Sequence, residues 1–228
     1  MKIAFLGKGG SGKTTLATAM VRHLRDGGKR VLAIDADHNM DLVFNLGADS
    51  LPQYLGTDPS RIKTAVGASV EDDFGHARNL ATHLGVTFRL SPPDAYTADM
   101  AMQIAPDLFV MAAGPHTDIV RSGARCSHSL ASPLKLYLPL LVLAEDEAVV
   151  IDERAGTDPV ATGILSGVDR AVIVREPTIH SMRVAEQIRC ELEYAKVPYV
   201  IVDNKIKDFA SDTQKAVLDI QHVLVSGA

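Results

Sequence analysis

The sequence predicts an α/β fold: a mostly parallel central sheet with helices on both faces. Three observations carry that expectation. Short apolar runs at Ile3 to Leu6, Arg30 to Ile34, Leu108 to Ala112, Val149 to Asp152, Ala171 to Val174 and Tyr199 to Val202 have the composition of strands buried on both sides. Stretches with helical spacing of apolar residues lie between several of them, and strands alternating with helices define this class. A glycine-rich turn, Gly7-Lys8-Gly9-Gly10-Ser11-Gly12-Lys13-Thr14, joins the first strand to the first helix.

That turn fits the phosphate-binding pattern of a Gly, four residues, then Gly-Lys-Ser/Thr, which makes this a P-loop NTPase fold. A triphosphate needs many donors in a small space, and glycines let the N–H groups of Gly9, Gly10, Ser11 and Gly12 close round it without Cβ obstruction. The helix that follows points its positive end at the same anion. Lys13 is expected to reach the β- and γ-phosphates and Thr14 to offer its hydroxyl to Mg²⁺, with Thr15 completing the nucleotide-binding set.

The pattern does not require a lysine directly after its first glycine. Taken alone, Lys8 is either a surface lysine or a side chain directed away from its own phosphates. The octapeptide Lys8 to Thr15, however, resembles the deviant Walker A motif of the MinD/ParA/nitrogenase-iron-protein class of ATPases. The resemblance implies ATP and ADP as ligands, Mg²⁺ as cofactor, and a nucleotide-dependent homodimer in which Lys8 reaches the partner's phosphates.

Length and composition agree with such a protein. At 228 residues with 46% hydrophobic content, the chain can bury one sizeable core and reads as a single P-loop ATPase domain, 1–228. A net charge of -5 argues against nucleic acid as a partner. Two cysteines are too few for a disulfide framework and fit a reducing compartment. No stretch approaches the ~20 apolar residues of a membrane span, and the N-terminal apolar run is too short for a secretion signal. Both point to a cytoplasmic location with no membrane partner.

In chain order, Leu16, Met20 and Leu24, flanked by Ala17 and Val21, predict a helix over 14–26, stopped by Gly27-Gly28. The second strand ends in Asp35-Ala36-Asp37-His38-Asn39-Met40-Asp41. Carboxylates past the carboxyl end of a parallel strand face the crevice where such sheets bind ligands. By resemblance Asp37 is the switch I aspartate that places the attacking water, and Asp41 corresponds to a second switch I carboxylate of some members; turn and helix-cap residues are the alternative, above all for Asp41. His38 stands where the family commonly has proline, and no role is assigned to it. Residues 48–105 read as an irregular surface insertion, punctuated by Pro52, Gly56, Pro59 and Gly67, with amphipathic spacing over 70–84.

Gly123 to Ser129 contains Cys126-x-His128. In an extended loop, residues two apart face the same way. Two copies on a dimer axis would supply Cys₂His₂, a set suited to Zn²⁺ and acceptable to Ni²⁺. A core thiol is the alternative for Cys126. The residues that follow, Leu134 to Leu143 and Asp146 to Gly156, resemble the CooC accessory ATPases, which help load nickel into carbon monoxide dehydrogenase and carry Cys-x-Cys where this sequence departs with His128 in place of the second cysteine. Val149 to Asp152 reads as a Walker B-like strand whose Asp152 holds an Mg²⁺-bound water, and Gly156 lets switch II approach the γ-phosphate.

Glu176-Pro177-Thr178 precedes a helix predicted over 179–194, on which Cys190 is packing. By resemblance, Asn204 after the last strand reads adenine. The final helix, about 210–224, lacks the basic face of a membrane anchor. These features point to a dimeric Mg²⁺-dependent ATP hydrolase serving metallocentre maturation, with a client metalloenzyme as partner. The alternative is a partition or positioning ATPase of the ParA/MinD type, acting on a protein, DNA or membrane.

Overall fold

The computed structural model describes residues 1–124, 126–205, 213 and 215–221, with backbone alone at Ile119 and His128. The strands are β1 (Lys2–Gly7), β2 (Arg30–Asp35), β3 (Phe88–Arg89), β4 (Met102–Ala105), β5 (Leu108–Ala112), β6 (Leu141–Val142), β7 (Glu147–Asp152), β8 (Arg170–Arg175) and β9 (Tyr199–Asp203). The helices are α1 (Lys13–Asp26), α2 (Asp41–Asn45), α3 (Arg61–Ala65), α4 (Phe74–Leu84), α5 (Ala95–Met100), α6 (Asp118–Arg121), α7 (Leu134–Leu140), α8 (Asp158–Ala161) and α9 (Ile179–Ala195). The helix expected over 210–224 falls partly outside the described residues; 215–221 are helical.

Seven strands form one sheet in the order β4-β5-β2-β7-β1-β8-β9, with β3 and β6 making a separate small pair. Every pairing in the large sheet is parallel except that of the edge strand β4 with β5. The chain leaves β1 toward β2 on one side and crosses from β7 to β8 on the other. The strand order therefore reverses at β1 and β7, and a crevice opens at their carboxyl ends.

Burial on both faces explains why the strands read as continuous apolar runs rather than alternating ones. Ile3, Phe5, Val31, Ala33, Val150 and Val172 pack with Leu16, Met20 and Val21 of α1. Ala4, Leu6, Leu32, Ile34, Ile151 and Ile173 pack on the opposite face with Ala185, Ile188 and Leu192 of α9. Helix α1 stops at Gly27 and Gly28, the latter at φ 81, and has His23 and Arg25 in its last turn, where positive charge suits the dipole. Thr178 caps α9 by accepting from the Ser181 amide at 3.2 Å.

Residues 48–105 differ from the expected irregular surface insertion. They carry α3, α4, α5, β3 and β4, and they bury Leu55, Ile62, Val66, Ala77, Ala81, Phe88, Leu90, Tyr96 and Met100 in the same core as α9. The Leu55 and Gly56 amides donate to the end of β5 and to the residue after it, at Ala112 O and Ala113 O, both at 2.9 Å. Within the amphipathic stretch over 70–84, Asp73 accepts from the His76 amide at 2.8 Å, so the helix begins only at Phe74. Tyr137, fully buried, packs on Phe88 and Tyr96, and its hydroxyl lies 3.0 Å from Thr97 Oγ1. Among the described residues no helix is long and apolar enough to cross a membrane.

Because Ile62 is fully buried in the shared core, Ile62→Ala is expected to lower global stability by about 2–5 kcal/mol. Urea unfolding checks this. A shifted midpoint with one transition is expected; an unchanged midpoint would mean that 48–105 folds apart from the sheet.

Candidate nucleotide site

Two glycines set the shape of the P-loop. A Cβ at Gly7 would lie 2.2 Å from the Val174 carbonyl oxygen, so β1 leaves the sheet at a spacing no other residue permits. Gly12, left-handed at φ 97, would place a Cβ 2.2 Å from Asn204 Nδ2. Ser11, buried, folds the loop back by donating its amide to Lys8 O at 3.1 Å. Among the described residues no side chain caps α1, so its first amides are placed to receive an anion.

The loop forms one wall of a cleft of about 440 Å³ lined by Gly9, Gly10, Lys13 and Thr14. Asp37, His38 and Asp41 form a second wall, and Arg154 and Asp158 a third. This is the crevice at the carboxyl ends of β1, β2 and β7. Lys13 is 8% exposed with Nζ 3.3 Å from Lys8 O. Burial lowers its pKa, while Asp152, Asp37 and Glu153 act in the opposite direction. Thr15 sits half-buried on α1 beside the loop.

Asp152 ends β7 almost fully buried. Burial pushes its pKa up to about 6, against a hydrogen bond from Thr14 and the charge of Lys13. Among the described residues its Oδ1 has no hydrogen-bond partner. A buried carboxylate oxygen left over beside a threonine hydroxyl is a fitting donor set for a hydrated Mg²⁺.

Opposite Asp152 in the sheet register stands Asp35. Fully buried, it accepts the amides of Asp37 at 3.1 Å, Leu42 at 2.8 Å and Val43 at 3.3 Å. Burial and the Asp152 charge push it up to about 8 despite those three donors. Glu153 is buried as well, and burial followed by Asp152 raises it to about 8. Sequence reasoning assigned no task to Asp35, Glu153 or Arg154. The available signal was that Asp35 and Glu153 adjoin apolar strands that leave them no route to water.

Asp37 lies on the cleft wall, about a quarter exposed, with Oδ1 3.0 Å from His38 Nδ1. Lys8 does not enter its own cleft: Nζ pairs with Glu176 Oε1 at 3.2 Å, and Lys205 Nζ approaches the other oxygen at 3.6 Å. These pairings hold Glu176 below the usual carboxylate range, Lys8 contributing most. Asn204, expected against adenine, is fully buried beneath the P-loop, where its Nδ2 donates to Ser11 O at 2.9 Å.

The segment with Cys126 also differs from expectation. Cys126 is extended, but a 3₁₀ turn, Ser127–Ala131, begins at the next residue, so alternation along an extended loop does not orient the pair. Cys126 is exposed rather than a core thiol, and the side chain of His128 lies outside the described residues. Among the described residues no group of three or more His, Cys, Asp or Glu is arranged to hold a metal ion.

A parallel sheet with a P-loop at its strand-order reversal and acidic strand ends beside it defines a P-loop nucleotide-binding protein. The CobQ/CobB/MinD/ParA nucleotide-binding domain model matches residues 3–221, and the chain belongs to that family. Its sequence is 34% identical over 196 residues to the carbon monoxide dehydrogenase accessory protein CooC of Rhodospirillum rubrum, covering 82% of this chain and 67% of that protein. An uncharacterized ATP-binding protein of Methanocaldococcus jannaschii is 28% identical, covering 93% and 81%. Among solved structures, the cell division ATPase MinD of Pyrococcus furiosus aligns with a TM-score of 0.57 at 20% identity, covering 97% of this chain and 79% of that one. A ParA family ATPase from Chlorobium tepidum gives 0.56 at 18% identity, covering 95% and 79%. At these identities the two structures share the fold.

Gly12→Ala is expected to abolish nucleotide binding in titrations with labelled ADP, because the methyl group collides with Asn204 and moves the loop. The buried carboxyls predict a pH effect on stability. Asp35, Asp152 and Glu153 have folded-state pKa values above their unfolded ones. Their stabilisation is full below the unfolded values of 3.8 to 4.5, declines as pH rises above them, and is gone once pH passes the folded values of about 6 to 8. Ligand-free protein should therefore melt at a lower temperature at about pH 8.5 than at about pH 5.5, and Glu153→Gln should narrow the difference.

Proposed function

We propose that this protein is an Mg²⁺-dependent ATP hydrolase that works as a dimeric nucleotide switch in metallocentre maturation. The observation carrying the switch is the Lys8–Glu176 pair: a lysine at the mouth of the P-loop is held outside its own cleft at 3.2 Å from a carboxylate. In this function it leaves Glu176 for a second copy's phosphates. The P-loop amides and Lys13 bind and orient the phosphates, and Asp37 positions the attacking water. Thr14 and Asp152 would hold Mg²⁺, which supplies charge neutralisation at the phosphate oxygens. Asn204 supports the loop from below.

The cargo is argued from the likeness to CooC over 82% of the chain. In this function the exposed Cys126, with His128, presents a Zn²⁺ or Ni²⁺ substrate at the dimer axis for a client metalloenzyme. The partition or positioning alternative draws on the MinD and ParA folds.

Lys8→Ala is expected to abolish ATP-driven dimerisation and to cut hydrolysis at least tenfold in kcat, while ADP binding to the monomer persists; light scattering and phosphate release measure these. Unchanged dimerisation and turnover would sink the switch. Titration of the reduced protein with Ni²⁺ and Zn²⁺, with and without nucleotide, tests the cargo. One metal per dimer, lost in both Cys126→Ala and His128→Ala, is the expected result; no binding above those controls favours the partition alternative.

A further inference from the structure

We infer that the stacked imidazoles of His38 and His116 position the Asp37 carboxylate for the attacking water, an inference that rests on the hydrolase function proposed above. Asp37 has little else to hold it. Its backbone amide is fixed by Asp35, but among the described residues its side chain receives only the Asn39 amide, at 3.3 Å. One such donor does not fix both torsions of the side chain, and a displacement of about 1 Å in a reacting group can cost about a hundredfold in rate.

His38 Nδ1 lies 3.0 Å from Asp37 Oδ1 and is screened from solvent. The approach is off the N–H direction, as catalytic contacts often are before substrate binds. The His38 ring is itself fixed from behind. Its centroid is 4.3 Å from that of His116, with the planes 17° apart. His38 therefore rests on a flat support and need not lose its rotamer freedom when the site fills.

That support is rigid. The Ala113 amide donates to Asp35 O at 2.7 Å, continuing the ladder past the end of the strand. Gly114, at φ 91, passes so close to Tyr54 that a Cβ would lie 2.5 Å from the tyrosine side chain. Pro115 then fixes the backbone directly before His116. Asp37 is thus braced through two rings against the chain that follows β5, rather than by its own loop.

The test compares ring-keeping with ring-removing variants in ATP turnover and in ATP and ADP affinity, with thermal unfolding as a control for folding. His38→Phe keeps the stack and removes the nitrogen; it should lower kcat about tenfold with KM unchanged, a change of about 1.4 kcal/mol in the barrier. His116→Ala should lower kcat several-fold, and His116→Phe, which restores a flat ring, should recover most of it. In an Asp37→Asn background, His38→Phe should add no further loss. If Asp37→Asn is inactive while His38→Phe turns over at the wild-type rate, the positioning role is overturned and the hydrolase function stands. If Asp37→Asn itself turns over normally, the role of Asp37 fails and this inference with it. His38→Gln provides a second nitrogen-altering variant should His38→Phe unfold.

Discussion

The site depends on one buried carboxylate. Asp35 ends the second strand without contact with water and takes up three backbone amides from the turn that follows. That arrangement fixes where Asp37 emerges, where α2 begins and how the acidic wall faces the P-loop. Burying a carboxyl is costly unless it is hydrogen-bonded or protonated, and here both devices are present. Asp152 and Glu153 lie close enough to add repulsion to the cost of burial. A cation and the buried Lys13 are the natural counterweights.

The sheet was legible because its strands obey a strong rule: buried on both faces, they must be apolar throughout. The P-loop was legible because its glycines answer a steric demand, visible at Gly7 and Gly12, and the first helix because its stripe of Leu16, Met20 and Leu24 faces the sheet. Residues 48–105 were not legible as core. Helices of five or six residues such as α3 and α5 are too short to display a period, and the prolines and glycines between them imitate a loop. The 3₁₀ turn after Cys126 escaped for the same reason.

Side-chain tasks were harder to read than positions. Asn204 was found at the strand end where it was expected, but its amide serves the P-loop carbonyl of Ser11, a contact that exists only because Gly12 lacks a Cβ. Lys8 and Glu176 are far apart in sequence, and their pairing across the mouth of the loop follows from β1 and β8 being neighbours. His38 shows the converse: a residue with no assigned task in sequence acquires one from a partner on another strand's loop. Proximity created by topology, rather than any local pattern, decides such cases.

The hydrogen-bond ladder does not stop where the strands do. Ala36 donates to Asp152, Glu153 to Phe5, Gly156 to Gly7 and Ala113 to Asp35, so the chains leaving β1, β2, β5 and β7 are laced together for a residue or more beyond the sheet. A floor stitched in this way keeps the loop bases at fixed spacing. In the function proposed above, a difference between two phosphates and three would then be felt at the rim, through side chains that reach from one loop to the next.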